Sequence, residues 1–192
     1  YGGQLTAAPE VRDRGILDLD IPVEWVDTSA IDSEATDDMA DFREAVAGEN
    51  YGRINRAEAR LTIDTLTAYI ERIGRQRIID ERIDIGIISP YRAQVRYLRY
   101  LVKHQPWAKQ LRGLVSVNTV DGFQGQERDV IVISLVRSND KGDIGFLRDL
   151  RRTNVAMTRA RMKLLIIGDS TTLRAAHPFY RRLYRYIEAL KG

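Results

Sequence analysis

An α/β fold with a parallel sheet is what this 192-residue sequence predicts, on three observations. Short apolar runs at 83–88, 115–117, 130–136 and 163–167 recur along the chain, and amphipathic helical patterns lie among them. The run at 130–136 is almost uninterrupted in apolar character, as expected of a strand covered on both faces. The composition, 44% hydrophobic and 30% charged, is that of a soluble globular protein of one ordinary domain. Nothing resembles the run of about 20 apolar residues that a membrane span requires, so no membrane partner is expected.

The elements follow in order. The chain opens on Tyr1-Gly2-Gly3-Gln4-Leu5 with no start methionine or signal peptide, which reads as the middle of a longer protein. Residues 21–26 form the first strand, and the Asp-rich stretch 27–50 reads as a long surface loop with one helical turn. Asn55 and Glu58 resemble a capping box, after which Ile63, Leu66, Ile70 and Ile73 give a helix with one buried face. The strand at 83–88 stops at Ser89-Pro90, where Ser can be the N-cap and Pro the first residue of a helix carrying Val95, Leu98 and Leu101. Strands at 115–117, 130–136 and 163–167 come next, the last ending in Gly168-Asp169, and the basic end 181–191 reads as a surface helix.

Composition narrows the chemistry. With no cysteine and only His104 and His177, the sequence excludes disulfides, thiolate zinc sites and cysteine nucleophiles. No glycine is followed by lysine, so there is no phosphate-binding P-loop, and no G-x-G-x-x-G for a dinucleotide. Asp80-Glu81 superficially resembles a metal-binding acidic pair, but only two apolar residues precede it and Arg82 follows, so it reads as a solvated helix end. Charge is unevenly spread: residues 1–50 hold 3 Lys+Arg against 13 Asp+Glu, and residues 51–192 hold 27 against 14. A basic body suits a polyanion, and 25 Arg to 5 Lys suits bidentate phosphate contacts, although codon bias alone also makes a chain Arg-rich.

Two polar segments stand at strand ends, where open α/β sheets bind ligands: 118–127 after one strand and 151–161 before another. Asp121 and Gln124 either cap one short turn reciprocally or face a ligand. Gly122 and Gly125 allow close backbone approach. Arg152 and Arg159 are seven residues apart, which on a helix puts them on one face.

Thr119-Val-Asp-Gly-Phe-Gln-Gly-Gln-Glu-Arg-Asp-Val-Ile-Val-Ile-Ser-Leu-Val-Arg-Ser-Asn139 and Gly145-Phe-Leu-Arg-Asp-Leu-Arg-Arg-Thr-Asn-Val-Ala-Met-Thr-Arg-Ala-Arg161 resemble motifs V and VI of superfamily 1 helicases. Ile87-Ile-Ser-Pro-Tyr-Arg-Ala-Gln94 is similar to the motif IV region, and Asn55-Arg-Ala-Glu-Ala59 to the helix start before it. The nearest branch is that of the nonsense-mediated-decay and Dna/Nam-type helicases, and the likeness runs over essentially the whole chain. The short span between Tyr91 and Val115, with no inserted subdomain, favours that branch, whose members usually move 5′ to 3′.

The resemblance implies that residues 1–192 are a second RecA-like motor domain, excised from a longer chain whose first domain carries the P-loop. It implies ATP and Mg2+, held mainly by that first domain, with the first domain and a single strand of DNA or RNA as partners. It makes Arg159 an arginine finger and Glu127 the motif V carboxylate near the nucleotide, with Gln124, Gly125 and Arg152 in support; Arg152 is otherwise a structural partner. Ser89, Pro90, Tyr91 and Thr119 become nucleic-acid contacts, with a plain N-cap open for Ser89 and simple packing open for Tyr91. Arg56 reads as surface. A cytoplasmic location is expected, and the fragment alone is expected to be inactive. The alternative is a non-catalytic interaction module that has kept the fold.

Overall fold

The structure, a computed structural model, describes residues 16–18, 20–31, 41–48, 52–123 and 125–191. Its strands are β1 (Val23–Asp27), β2 (Ala45–Ala47), β3 (Gly52–Ile54), β4 (Ile85–Ile88), β5 (Val115–Asn118), β6 (Arg128–Ser134) and β7 (Ala160–Gly168). Its α-helices are α1 (Arg56–Ile73), α2 (Arg75–Asp80), α3 (Arg92–Lys103), α4 (Leu150–Met157), α5 (Ser170–Ala176) and α6 (Pro178–Leu190). Five strands form one all-parallel sheet in the order β1-β7-β6-β4-β5, the α/β architecture the sequence predicts. The opening segment and most of the acidic stretch lie outside the described residues. The described part of that stretch holds a single-turn helix at Thr28–Ala30, and β2, which pairs antiparallel with β3 where the sequence reads as loop.

Side-chain alternation along the strands divides the core. Ile85, Ile87, Val130, Val132, Leu165 and Ile167 face α1, α2 and α3, meeting Ile63, Leu66, Ile70, Ile78 and Leu98. Ile88, Ile131, Ile133, Leu164 and Ile166 face the other way, onto Phe123, Ala156, Leu173, Tyr180 and Ile187. Both faces are therefore covered, as parallel pairing requires. Gly86 points into the second layer, where a Cβ would come within 3.0 Å of the Phe123 ring. The segment after β5 can lie against the sheet because that position has no side chain.

A lysine is buried within the core. Lys163, 1% exposed, bonds Asp20 at 2.8 Å, the Ile21 carbonyl at 2.5 Å, and Glu24. Tyr69 donates its hydroxyl to Asp20 at 2.5 Å and lays its ring 5.3 Å from the Lys163 ammonium. Burial, then Asp20, push the Tyr69 hydroxyl well above its ordinary titration range. This cluster ties β7 and α1 to the chain entering β1. Lys163→Ala leaves the Asp20 carboxylate buried without its cation and is expected to cost about 3–5 kcal/mol, against a smaller loss for an Asp20→Asn/Lys163→Met pair. Urea unfolding midpoints of the domain check this, and a cost near zero for Lys163→Ala would mean that Asp20 is hydrated instead.

Candidate functional site

Residues of motif IV and motif V character meet at the carboxyl edge of the sheet. The Ser89 amide donates to the Asn118 carbonyl at 3.3 Å, holding the ends of β4 and β5 side by side. Ser89 does not cap the next helix: α3 starts at Arg92 with Tyr91 in the cap position, so Pro90 is not a helical residue either. The cause is backbone geometry, Tyr91 holding an extended φ of −113°. Ser89 is completely buried, and its hydroxyl has no hydrogen-bond partner among the described residues. Tyr91 is also buried, its ring 5.4 Å from that of Phe146 and its hydroxyl accepting from Arg137 at 3.3 Å. Pro90 and Thr119 are half-buried and line one apolar cleft with Asp121, Phe146, Arg152 and Met157. A Cβ on Gly122 would sit 2.2 Å from the Asn118 amide group, so a side chain there displaces Asn118 from the Thr119 amide it accepts from at 2.9 Å.

Glu127 and Arg159 lie at the opposite, amino edge, before β6 and β7. The Arg128 amide, which opens β6, donates to the Arg159 carbonyl at 2.8 Å, just before β7 begins. A register irregularity between Arg128 and Val130 marks this corner, a device that re-aims neighbouring side chains. Glu127 is exposed and accepts from Arg161 at 3.4 Å, and Arg161 also reaches Asp129 at 3.4 Å. Arg159 is partly exposed and among the described residues bonds only its own turn, Nε donating to the Val155 carbonyl at 3.1 Å and a terminal nitrogen to Thr158 at 3.5 Å. Gly125 is exposed with φ +74°, a left-handed turn that favours glycine. Gln124 lies outside the described residues.

Arg152 and Arg159 do not share a helix face, because α4 ends at Met157 and Arg159 lies beyond its cap. Arg152 belongs to the carboxyl edge, 3.8 Å from both Asp121 and Asp149. Two short segments thus run side by side down one sheet face, 119–127 and 150–159. Asp121 and Arg152 join them at one end, and Arg128 and Arg159 at the other. Val120, Phe123 and Ala156 anchor both in the same core.

Sequence reasoning missed a buried polar network behind this site. Asn55 caps α1 through the Glu58 amide at 3.0 Å, as the capping-box spacing predicts, but Glu58 does not reciprocate. The Asn55 amide donates instead to Gln94 at 2.9 Å, and Gln94 donates to the Ser134 hydroxyl at 2.9 Å. Glu58 accepts from Ser134 at 2.5 Å and from the Val136 amide at 2.8 Å. Val136 sits at φ +73°, strained for a β-branched residue, and is held there by Glu58 and by Asn55, which donates to its carbonyl at 3.2 Å. The strained residue turns the chain so that Arg137 folds inward against Tyr91, Glu44 at 2.9 Å and Asp143 at 2.7 Å. The Asn55–Glu58 spacing was the only sequence signal for this network, and nothing marked Arg137 as buried.

Among the described residues no group of three His, Cys, Asp or Glu stands close enough to hold a metal ion, and no helix is long and apolar enough to cross a membrane. The profile of a family described as an AAA domain matches residues 1–171. The chain is 36% identical over 187 residues to the DNA polymerase alpha-associated DNA helicase A of Saccharomyces cerevisiae, covering 90% of the chain and 25% of that protein. It is 37% identical over 189 residues to a protein named as an uncharacterized ATP-dependent helicase of Methanocaldococcus jannaschii, covering 91% and 24%. Over 90 residues, 47% of the chain and 5% of the relative, it is 53% identical to helicase sen1 of Schizosaccharomyces pombe. The chain therefore spans a quarter or less of the length of these relatives.

Burial pushes the Glu58 carboxyl up to about 8 from 4.5, outweighing Ser134 and Val136, which favour the charged form. Its second oxygen has no hydrogen-bond partner among the described residues. The folded state thus binds the proton more tightly than the unfolded state does. That contribution is complete below 4.5 and is lost as pH rises through about 8. Urea midpoints of the domain are expected to fall across this window, and Glu58→Gln, which has no proton to lose, is expected to show a shallower fall.

Proposed function

We propose that this chain, which belongs to the AAA-domain family forming the C-terminal region of superfamily 1 helicases, is the second motor domain of an ATP-dependent helicase or translocase acting on single-stranded nucleic acid. The observation that carries this reading is the pair of joined segments linking the two edges of the sheet. One edge presents Pro90 and Thr119 beside an apolar cleft, and the other presents Glu127 and Arg159. A strand engaged at the first edge bears on the same two segments that carry the second.

In this reading Arg159 reaches across a cleft to the γ-phosphate of a nucleotide held mainly by a first RecA-like domain. A guanidinium stays charged at every physiological pH and offers a planar fork of donors, which suits it to stabilise charge growing on a transferred phosphoryl group. Glu127 stands beside it and holds Arg161, while Gly125 provides the turn between Phe123 and β6. Mg2+, which neutralises phosphate charge, is held in this reading with the nucleotide, mainly by the first domain. Pro90 and Thr119, with the amides at the end of β5, contact sugar and phosphate, contacts that carry no sequence information. Ser89 and Tyr91, being buried, support this edge from beneath.

The test is ATP turnover by the full-length protein with and without single-stranded DNA or RNA. Arg159→Ala is expected to lower stimulated turnover by about 10³- to 10⁵-fold while strand binding is retained. Unchanged turnover would remove Arg159 from the mechanism. Absence of ATPase activity in the unsubstituted protein would favour a non-catalytic module.

A further inference from the structure

Between Asp84 and Asp121 the sequence contains no Asp or Glu, yet it holds Arg92, Arg96, Arg99, Lys103, Lys109 and Arg112. The first four stand at spacings of four, three and four on α3, which puts them on one stripe of the helix. All six are exposed, and none forms an ion pair among the described residues. Solvated surface charge normally comes with both signs interspersed, so an acid-free stripe of this length is unusual. Between α3 and residues 107–113, alongside the sheet's edge strand β5, lies a groove of ≈ 400 Å³ with no carboxylate in its lining. Lys103, Lys109 and Arg112 rim it over a floor of Trp107, Leu111 and Val115.

Two further features point to what occupies it. Tyr100, 58% exposed, lies parallel to Tyr97 at 6.2 Å and at 45° to His104 at 4.3 Å, beside the basic stripe. Basic residues interleaved with exposed aromatic rings suit a single strand, whose phosphates are neutralised while its bases stack. Arg99 connects the groove to the candidate strand edge, donating to the Val117 carbonyl at 3.0 Å and to the Asn118 side chain at 3.4 Å, next to Thr119. The stripe on α3 is about 18 Å long and starts at the residue after Tyr91, so it leads from the Pro90–Thr119 edge back along the flank of the sheet beside β5.

We propose that α3 and residues 103–112 form a second tract for the single strand, one that holds its backbone outside the cleft between motor domains and takes bases against Tyr100. This rests on the nucleic-acid reading above and extends it to residues outside the motifs. Mechanistically the tract adds sequence-independent affinity that is lost with salt, keeping the strand attached while the cleft opens.

The experiment compares the full-length protein with a Lys103→Glu/Lys109→Glu/Arg112→Glu variant by fluorescence anisotropy. Two single strands are used, one just long enough for the Pro90–Thr119 edge and one long enough to pass along α3, each titrated over a range of salt. The expected result is unchanged binding of the short strand. The long strand should bind about tenfold more weakly, with a salt slope shallower by about 2, from roughly 0.7 per phosphate over three contacts. Tyr100→Ala should weaken the long strand alone and remove its photocrosslink to a halogenated base, a readout that charge reversal elsewhere would not mimic. Unfolding midpoints of both variants should match the unsubstituted protein, because every substituted side chain is exposed.

An unchanged affinity and slope for the long strand would overturn the tract, as would equal weakening of both strands. Loss of binding to a polyglutamate probe with strand binding intact would overturn it in favour of an acidic protein segment. Failure of the unsubstituted protein to bind either strand would instead overturn the nucleic-acid reading itself.

Discussion

Everything at the candidate site follows from the parallel direction of the sheet. Because β4, β5, β6 and β7 all point one way, segments that follow a strand gather at one edge and segments that precede a strand gather at the other. Ser89, Pro90 and Thr119 follow β4 and β5, whereas Glu127 and Arg159 precede β6 and β7. Seven residues of β6 at about 3.3 Å each separate the edges by roughly 20 Å. A connection between them must return antiparallel to the strands along a sheet face. The segments 119–127 and 150–159 are two such returns, and each must be buried on one side to stay ordered. Gly86 makes room for the first, and Ala156 lets the second lie close.

The buried polar groups hold this arrangement from the other side of the sheet's end. Burying Asn55, Glu58, Gln94 and Ser134 together is costly unless each finds a partner, and nearly all do. In return the network joins the start of α1, the face of α3 and the last residue of β6. It also sustains the left-handed Val136, without which Arg137 would leave along the strand direction instead of turning inward. Arg137 in turn fixes Tyr91 and, through it, Phe146 at the rim of the cleft. A chain of direct contacts thus runs from the α1 cap to the carboxyl edge.

Much of the fold was legible because periodicity reports burial directly. The four apolar runs became β4 to β7, and Ile63, Leu66, Ile70 and Ile73 are all buried on α1. What periodicity does not report is where a short polar segment stops being helical. The spacing of Arg152 and Arg159 suggested one helix, but the helix closes after Met157 and carries them to opposite edges. The β2–β3 hairpin escaped for a similar reason, since three-residue strands carry too few side chains to show alternation. Glu58 was visible as a capping partner, while its true partners, Ser134 and Val136, lie more than seventy residues away and cannot be read from local spacing. Lys163 looked like an ordinary strand residue because nothing in the sequence pairs it with Asp20 and Glu24.

The arginines at the site differ in their partners. Arg137 is matched by Glu44 and Asp143, Arg152 stands near Asp121 and Asp149, and Arg161 lies between Glu127 and Asp129. Each of these charges is largely balanced within the domain, so each serves to position segments more than to attract an outside anion. Arg128, which bonds the Glu127 carbonyl and Gln126, has no carboxylate partner among the described residues, and neither has Arg159. The bonds of Arg159 go to a neutral carbonyl and a neutral hydroxyl, which orient the guanidinium without cancelling its charge. Neutral partners are the arrangement expected of a cation kept for a ligand phosphate, because a carboxylate at the same place would have to be displaced first, at a cost set by its own desolvation. On the proposed reading, Glu127 therefore contributes by drawing Arg161 to itself, which leaves Arg159 and Arg128 at the amino edge without a carboxylate partner among the described residues.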